Sequence, residues 1–333
     1  MISEETNLPI PGASIYFNNT SVGSTTDTTG EFNFTVTGIF SNNLVVSSIG
    51  YEALIYKIVS PEDLQHRYLF KLKKKNVLME NILLLGDVAR QKYIRNFIDN
   101  FLGTTEEATL SDIKNLNAIY FTRTENDTSG FNAHSDTALV IINKKLGYKI
   151  IFRLEDFYYN EINGASFFYG YTRYEDLGDS KKWKRNRRKA YYGSSLHFFR
   201  SLISNTLEQE HYRIFEIQKD TVTFNKKHIQ ITVDKVIKKD SSSEIFLGIW
   251  KDVLMVSYIK TPPYTPYYRK NSSTYLNLNH GIGSYLSINE YPVEISNYGS
   301  LINPLSVTFS GYWMYEKTAN LLPYDYYPSK NDK

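Results

Sequence analysis

The sequence contains no cysteine. This absence excludes disulfides, thiolate zinc sites, iron–sulfur clusters and cysteine nucleophiles, although it does not indicate a cellular compartment. No apolar run reaches the roughly 18–20 residues that a membrane-spanning helix needs. The best short run, residues 76–86, is interrupted by Glu80 and Asn81. No signal peptide is recognised, and the abrupt start at Met1 leads us to expect that a strand and a leader precede it in the natural chain.

Charge and length set further limits. The net charge of +3 is too small to indicate a polyanionic partner, so we do not expect nucleic-acid binding. At 333 residues the chain is longer than one average domain, and we expect two. The sequence is rich in aromatic residues, with 28 tyrosines and 19 phenylalanines. Tyrosine suits half-buried strands and broad contact surfaces, because its ring is buried while its hydroxyl stays hydrated.

The first part of the chain, residues 8–75, has the pattern of short strands separated by turns. Phe32, Phe34 and Val36 alternate with polar residues, which predicts a strand with one buried face. Strands recur about every 10 residues, and no helical periodicity lies between them. We therefore predict a small antiparallel β-sandwich.

Asp27 and Gly30 lie between two of these strands and allow three interpretations. A calcium loop needs further oxygen ligands at alternate positions, and these are missing. An aspartic protease needs a second matching motif, and the sequence has none. Asp also opens tight turns by accepting nearby backbone N–H groups, and Gly supplies a positive φ. We interpret Asp27 and Gly30 as structural turn residues.

The same region resembles the carboxypeptidase D regulatory-like domain. The residues that carry the resemblance are Pro9, Pro11, Gly12, Ala13, Gly23, Thr26, Asp27, Gly30, Phe32, Ser47, Gly50 and Tyr51. It covers roughly residues 5–73 and implies a transthyretin-like, seven-stranded β-sandwich. It also implies a non-catalytic appendage, of the kind found beside carboxypeptidases, outer-membrane receptors and other envelope proteins.

A basic run marks the end of this first domain, 1–75, and residues 76–112 form the predicted linker. Apolar residues recur at helical spacing within the linker, namely Ile94, Phe97, Ile98 and Phe101. They predict an amphipathic helix that packs on a sheet, with Asp87 able to cap its start and Gly103 its end.

Residues 113–333 form the predicted second domain, a larger α+β domain of antiparallel sheets with a few helices. Two strands joined at Leu146–Gly147 are followed by helical segments and then by several short strands. Three stretches, 142–157, 181–202 and 305–328, resemble the second region of carboxypeptidase-like regulatory domain-containing proteins of Bacteroidota-type bacteria. The resemblance implies a place in the periplasm or at the outer membrane, and it supplies no catalytic residues.

A basic run in this domain has seven Lys or Arg in nine residues. The candidate residues for binding an anionic surface are Lys181, Lys182, Trp183, Lys184, Arg185, Arg187, Arg188 and Lys189. One interpretation is a grip on phosphate, with Trp183 stacking on bases, or on anionic lipid or lipopolysaccharide. The other, which we favour, is a solvated helix face with Trp183 buried. Between the binding interpretations, an anionic envelope surface is favoured over nucleic acid.

The stretch after the basic run contains Ser194, Ser195 and His197, but it lacks the second glycine of a nucleophile elbow. Ser194 or Ser195 can cap a helix instead. Its predicted core stripe comprises Leu196, Phe199, Ile203 and Leu207. His197 and Arg200 form a candidate polar pair on another face. They either bind an anion or, as we favour, make structural hydrogen bonds.

The six histidines show no metal-binding spacing, so no metal site, cofactor or catalytic residue is predicted. His134 and Asp136 lie close in sequence but give only a weak signal. We interpret the protein as a non-catalytic envelope protein that binds an outer-membrane or periplasmic protein, or envelope glycan. The alternative is a hydrolase in the second domain. A flat, tyrosine-rich face would favour binding, whereas a deep cleft with converging His, Asp or Glu would favour hydrolysis.

The last segment, residues 311–328, is predicted to be structural and to close the second domain. Trp313 follows a strand, and the residues after Glu316 favour a short helix that Pro323 ends. The alternative is an exposed aromatic tail that docks on a partner.

Overall fold

A computed structural model of the chain describes residues 1–36, 43–58, 61–75, 83, 85–123, 129–219, 226–241, 245–260, 276–277 and 281–329. The chain divides into two compact units. Unit 1 contains Met1–Trp183 and Lys317–Tyr327, and unit 2 contains Lys184–Glu316 and Pro328–Lys333.

The boundaries of the two units differ from those of the predicted segments, which are 1–75, 76–112 and 113–333. Unit 1 includes the sandwich, most of the linker and the first part of the predicted second domain. Residues 76–82 and 84 of the linker lie outside the described residues. Independent folding of residues 1–75 stays a prediction.

Both units consist mainly of antiparallel sheets, which confirms the predicted fold class. The strands of unit 1 are β1 (Ile2–Ser3), β2 (Ser14–Phe17), β3 (Gly23–Thr25), β4 (Asn43–Ser47), β5 (Leu54–Lys57), β6 (Lys71–Leu72), β7 (Ser111–Ile113), β8 (Ile119–Thr122), β9 (Gly130–Ser135), β10 (Leu139–Asn143), β11 (Tyr148–Asn160) and β12 (Ser166–Asp176). Its helices are α1 (Asp87–Phe101) and the short α2 (Glu106–Thr109), and α3 (Lys181–Tyr191) contains the boundary between the units. Among the described residues, no helix has the length and apolarity to span a membrane.

The N-terminal sandwich has a four-stranded sheet in the order β3-β2-β4-β5 and a parallel pair of β1 and β6. Its core includes Ile15, Phe17 and Val46. The stretch from Glu31 to Val36 shows the predicted alternation of half-buried and exposed residues. It is not paired as a strand, so the described residues of the sandwich contain six strands rather than seven.

Helix α1 packs on the larger sheet of unit 1 through Tyr93, Phe97 and Phe101, which are one turn apart and buried. The predicted Ile94 and Ile98 are only half-buried, because this stripe takes the face toward the sheet. Asp87 is the first helical residue rather than the cap, since Gly86 occupies the N-cap position. Gly103 ends the helix as predicted, with a φ of +98° that favours glycine.

The larger sheet is built around β11. The first half of β11 pairs with β10 and the second half with β9 along one edge, while β12 follows the other edge. The resulting order is β7-β10-β11-β9-β8, with β12 beside β11. Phe152 and Phe157 on its inner face contact the rings of α1 at centroid distances of 4.8 Å.

The C-terminal segment is structural, but it closes two different parts of the fold. Trp313 is buried in unit 2, whereas residues from Lys317 belong to unit 1. The Thr318 N–H donates to the Phe101 carbonyl oxygen at 3.1 Å, and the Tyr324 N–H donates to that of Asn19 at 2.7 Å. The short helix expected after Glu316 does not form. A 3-10 turn, Tyr312–Tyr315, lies before Glu316 instead.

Unit 2 contains helix α4 and two antiparallel sheets. Helix α4 is Ser195–Ile203, and the strands are β13 (Tyr212–Lys219), β14 (Lys226–Ile231), β15 (Ile237–Lys239), β16 (Ile245–Gly248), β17 (Val253–Tyr258), β18 (Leu276–Asn277), β19 (Gly281–Ile288), β20 (Val293–Ser296) and β21 (Val307–Gly311). Their orders are β14-β13-β17-β19-β18, with β21 beside β19, and β15-β16-β20. The core joins Phe198 and Phe199 of α4 to Leu254, Leu286 and Trp313.

Candidate functional site: a tyrosine-rich sheet face

The face of the unit 1 sheet opposite α1 carries a row of aromatic side chains. Strand register places them on one side, because Tyr120 pairs with His134, Tyr158 with both Asn132 and Phe167, and Tyr171 with Arg153. We call this set the tyrosine face, and its members are Tyr120, His134, Tyr158, Phe167, Tyr169 and Tyr171. Phe121 and Phe157 on the inner side, by contrast, contact rings of α1.

A β-bulge lies in the middle of the tyrosine face. The register of β11 against β12 shifts between Leu154 and Asp156, so that Glu155 is the extra residue. The shift returns Asp156 to the outer side, opposite Tyr169, and leaves both Glu155 and Asp156 exposed. Bulges of this kind re-aim side chains and are common beside functional sites.

The rings of the face are held by hydrogen bonds between their hydroxyl groups and nearby polar atoms. The Tyr169 hydroxyl donates to that of Tyr171 at 3.1 Å, and the two rings meet edge to face at 5.5 Å. The Tyr158 hydroxyl lies 3.2 Å from the Ser129 hydroxyl and 3.4 Å from the Asn160 amide. These hydrogen bonds orient the side chains of the face, which limits the conformational entropy that binding would cost.

The members of the tyrosine face differ in their exposure to solvent. Phe167 is 42% exposed, and the other members are half-buried. Burial raises the pKa of Tyr171, as does its hydrogen bond with Tyr169, and burial raises the pKa of Tyr120. The hydroxyls of Tyr171 and Tyr120 are thus protonated at neutral pH, and each offers a neutral donor and acceptor beside an apolar ring.

His134 is the titratable member of the face. Its ring stacks on Tyr120 at 5.4 Å, and its Nε2 lies 2.8 Å from the Thr122 hydroxyl. Burial lowers its pKa, which outweighs the opposing influence of the Asp156 carboxylate. The imidazole is therefore neutral at neutral pH and contributes polarity without a charge.

The N-terminal sandwich borders one end of the face. Arg153 donates to the Tyr51 carbonyl oxygen and Arg173 to that of Ser24, each at 3.3 Å. Thr20 forms a parallel bridge with Arg173. Backbone pairing and two guanidinium contacts thus fix the sandwich to the sheet. The part of the face around Tyr158, Phe167 and Tyr169 lies beyond the residues in these contacts.

The basic run forms helix α3, and its residues differ in exposure. Lys181, Lys182, Arg185 and Lys189 are exposed, and Arg187 is buried with 6% exposure. The remaining three, Trp183, Lys184 and Arg188, are half-buried.

Trp183 of this run is half-buried and packs within unit 1, rather than being fully buried as predicted. Its Nε1 donates to the Lys144 carbonyl oxygen at 3.0 Å. Its indole lies against Gly147, where an added Cβ would meet the ring at 2.2 Å. Gly147 has a φ of +71°, so glycine is required there both for the turn and for the tryptophan.

His197 lies in an enclosed hydrogen-bond network in unit 2 and is 2% exposed. Its Nδ1 accepts from the Gly193 N–H at 3.2 Å and lies 3.1 Å from the Tyr212 hydroxyl. Because Nδ1 accepts a backbone proton, Nε2 carries the hydrogen of the neutral ring and donates to Glu210 at 3.0 Å. Desolvation lowers the pKa of His197 to about 4, against the attraction of Glu210.

Ser195 is not paired with this histidine. Its hydroxyl and its N–H both donate to the Glu316 carboxylate, at 2.7 and 3.1 Å. Desolvation raises the pKa of Glu316 to about 7, although part of the residue reaches solvent. A serine nucleophile beside a histidine base is therefore not formed at this position.

Arg200 does not form an anion site with His197. It is 8% exposed, its Nε donates to the Tyr298 carbonyl oxygen at 3.0 Å, and its guanidinium lies 5.6 Å from the centre of the Tyr191 ring. His197 and Arg200 lie off the predicted core stripe of α4, and both are nevertheless buried, because α4 is covered on several sides. Ser194 caps the helix by accepting from the His197 N–H at 3.1 Å.

Asp27 forms a turn with hydrogen bonds to its own loop. One carboxylate oxygen accepts from the Thr29 hydroxyl at 2.7 Å and from the N–H groups of Thr29 and Glu31 at 2.9 Å. Gly30 follows with a φ of +75°. Among the described residues, no group of three or more His, Asp or Glu has the arrangement of a metal site.

The tyrosine face was not predicted from the sequence, although two signals for it are present. The aromatic residues Phe167, Tyr169 and Tyr171 alternate, which indicates one face of a strand. The buried apolar positions of β11 advance by two residues up to Leu154 and then by three to Phe157, which marks the bulge. The partner strands β8 and β9 are separate segments whose pairing the sequence does not show, so they could not be assigned to this face.

Comparison with known proteins identifies the first part of the chain. A search of curated proteins and a search of solved structures found no match. Residues 1–84 match the family model described as CarboxypepD_reg-like domain. The matched region contains the whole sandwich with its Asp27 turn, as the resemblance implied. The family match over residues 1–84 thus agrees with the predicted resemblance to the carboxypeptidase regulatory-like domain.

Proposed function

We propose that the protein is a non-catalytic binding module of the bacterial envelope, and that its tyrosine face binds a neutral glycan chain. The observation that carries this proposal is the ordered aromatic surface centred on Tyr158, Phe167 and Tyr169. Pyranose rings have apolar faces with polar rims, so a tyrosine ring beside hydrogen-bonding groups complements them. The regulatory-like domain, which is often a non-catalytic binding module, supports the binding role.

The charges around the face favour a neutral glycan over an anionic one. Glu155 and Asp156 are both exposed, and the guanidinium of Arg153 is already paired with Glu155 at 2.7 Å. An anionic sugar would approach the Asp156 carboxylate closely, which is unfavourable. A neutral sugar can instead donate its hydroxyl hydrogens to these carboxylates, and such charge-assisted hydrogen bonds are strong. Neutral β-linked hexoses and N-acetylhexosamines fit this chemistry.

Titration of the full chain with chitotetraose and with cellotetraose tests the proposal. The variant Tyr158→Ala with Tyr169→Ala is expected to lower the affinity of the better ligand about tenfold or more, as for aromatic hot spots. Tyr327→Ala, at a residue 52% exposed and outside the face, is the matched control and is expected to bind normally.

Circular dichroism melting of each variant separates loss of binding from loss of folding. Equal weakening in the face variant and in the Tyr327→Ala control would contradict the proposal, as would wild-type protein that binds neither oligosaccharide. Hydrolysis of either oligosaccharide by the wild type would favour the alternative, an enzyme.

A further inference from the structure

Helix α3 carries five cations that lie on one side. At 3.6 residues per turn each residue advances about 100°, so these side chains fall within an arc of about 120°. We call this set the basic arc, and its members are Lys181, Lys182, Arg185, Arg188 and Lys189. The arc extends about 12 Å along the axis, at 1.5 Å per residue. All members lie on one continuous helix, which fixes their spacing.

None of the five cations of the basic arc forms a salt bridge with another residue in the part of the chain that the structure describes. No acidic residue occurs in the sequence between Asp179 and Glu208. The clustering of five like charges is unfavourable for the helix itself, and the first turn contains no acidic residue to complement its dipole.

The opposite side of the helix has a structural role. Asn186, Arg187 and Tyr191 are buried there, and Trp183 is held against Gly147. These residues explain why the helix is fixed in place, but they do not explain the cations on the other side. The prediction of a merely solvated face treated all of the basic residues alike, whereas the structure separates buried Arg187 from the basic arc.

The shape of the arc favours a smooth anionic surface over a nucleic acid. The arc is the convex surface of a single helix, without a concave pocket formed by its own residues. The aromatic residue that would stack on bases, Trp183, points to the other side and is hydrogen-bonded. Tyr192 continues the helical turn through its N–H bond to the Arg188 carbonyl oxygen, and it is 37% exposed on the same arc. Tyrosine beside lysine and arginine is typical of residues at a lipid headgroup interface.

We propose that the basic arc docks the protein on an anionic phospholipid surface. The interaction is electrostatic, since the ammonium and guanidinium groups lie among headgroup phosphates while the helix stays outside the hydrocarbon region. This site is separate from the tyrosine face in residues and in ligand charge. A failure of glycan binding therefore does not contradict lipid docking by the basic arc. Likewise, a failure of lipid docking does not contradict glycan binding by the tyrosine face.

Co-sedimentation of the full chain with vesicles tests this proposal. The vesicles contain phosphatidylglycerol and phosphatidylcholine in equal amounts, or phosphatidylcholine alone. The variant with Lys182→Gln, Arg185→Gln and Arg188→Gln removes three charges of the arc and keeps good helix formers. Its binding to anionic vesicles is expected to fall about a hundredfold, at the usual contribution of each basic residue near such a surface.

The matched control replaces three exposed lysines of unit 2 that lie outside the arc, with Lys235→Gln, Lys238→Gln and Lys239→Gln. It has the same net charge as the arc variant and is expected to bind nearly as the wild type does. Wild-type binding is expected to weaken with salt and to be absent with phosphatidylcholine alone.

Three outcomes would overturn the proposal. Wild-type protein that does not bind anionic vesicles would exclude the lipid surface as the ligand. Equal losses in the two triple variants would show that net charge, not the arc, controls binding. Binding of a single-stranded oligonucleotide that depends on the arc, without vesicle binding, would identify a nucleic acid as the ligand instead.

Discussion

His134 and His197 contact similar types of residue but differ in their exposure to solvent. Each ring contacts tyrosine, lies near a carboxylate and has a pKa that burial lowers. His134 lies on an open sheet face and is half-buried, with the Thr122 hydroxyl at its Nε2. His197 is 2% exposed, and both of its ring nitrogens are hydrogen-bonded within unit 2.

The comparison teaches that residue type alone does not separate a binding surface from a structural network. The His197 network has the residues expected of a catalytic site, but its donors and acceptors are paired with one another. A ligand would have to break those bonds, and each broken buried bond is costly. The tyrosine face offers hydroxyls and rings that stay accessible while their orientation is already fixed. Four changes test the structural side of this contrast, from the largest expected effect to the smallest.

The largest expected effect is from Trp313→Ala, which removes a ring from the core beside the His197 network. Trp313 contacts Phe198 at 5.1 Å and Phe309 at 5.9 Å, and its Nε1 donates to the Gly193 carbonyl oxygen at 2.9 Å. We expect a loss of about 3–5 kcal/mol in the free energy of unfolding. Urea unfolding, followed by the fluorescence of Trp250, measures it. Trp313→Phe keeps a ring and should lose clearly less, and equal losses would contradict the packing argument.

Glu316→Gln is expected to stabilise the protein above pH 7. The folded-state pKa of Glu316 is raised from 4.5 to about 7, so the folded protein loses stability as pH rises through this window. A neutral glutamine cannot ionise and can still accept from Ser195. We expect a gain of about 1–2 kcal/mol, reduced from the full shift because the residue is partly exposed. Urea unfolding at pH 5 and pH 8 checks it, and a variant less stable at pH 8 would contradict the assignment.

His197→Gln is expected to change the slope of the free energy of unfolding against pH in the sense opposite to Glu316→Gln. The folded-state pKa of His197 is lowered from 6.5 to about 4, so its contribution is present above pH 6.5 and is lost as pH falls to about 4. Each group changes the free energy of unfolding by at most about 1.4 kcal/mol per pH unit. The contributions of His197 and Glu316 should therefore nearly cancel in the wild type where the two windows overlap. Without the histidine, the slope of the free energy of unfolding against pH should be more negative there than in the wild type, as urea unfolding across this range would measure.

The smallest effect is expected from Asp27→Ala in the N-terminal sandwich. The change removes hydrogen bonds from the Thr29 hydroxyl and two N–H groups at an exposed turn. A small decrease in the melting temperature of unit 1 should follow, and calcium should have no effect on wild type or variant. A melting temperature that rises with calcium in the wild type alone would show that Asp27 is a metal ligand.

Features that depend on neighbours in sequence were predicted well. The end of α1 at Gly103, the turn at Gly147 and the strand pair around it follow from local turn and cap chemistry. The predicted use of the C-terminal segment was half right. Trp313 is buried in unit 2 as expected, but residues from Lys317 join unit 1 through bonds to Phe101 and Asn19. Long-range pairing of this kind leaves no periodic signal.

The candidate site was the less predictable part. Its strands β8, β9, β11 and β12 share a face only because of their register, and a single sequence does not reveal which strands become neighbours. The basic run, in contrast, was evident from composition. Its division into the buried Arg187 and the basic arc required the position of the helix on its neighbours.

The most direct test of the account is whether glycan contacts the tyrosine face. Tyrosine ring signals in NMR spectra of the full chain, assigned with single Tyr→Phe variants, can be followed during titration with chitotetraose. The account predicts saturable shifts of the Tyr158, Tyr169 and Tyr171 rings, with no shift of the exposed Tyr291 in unit 2. Shifts confined to tyrosines outside the face, or saturable binding that leaves the face signals unchanged, would contradict it.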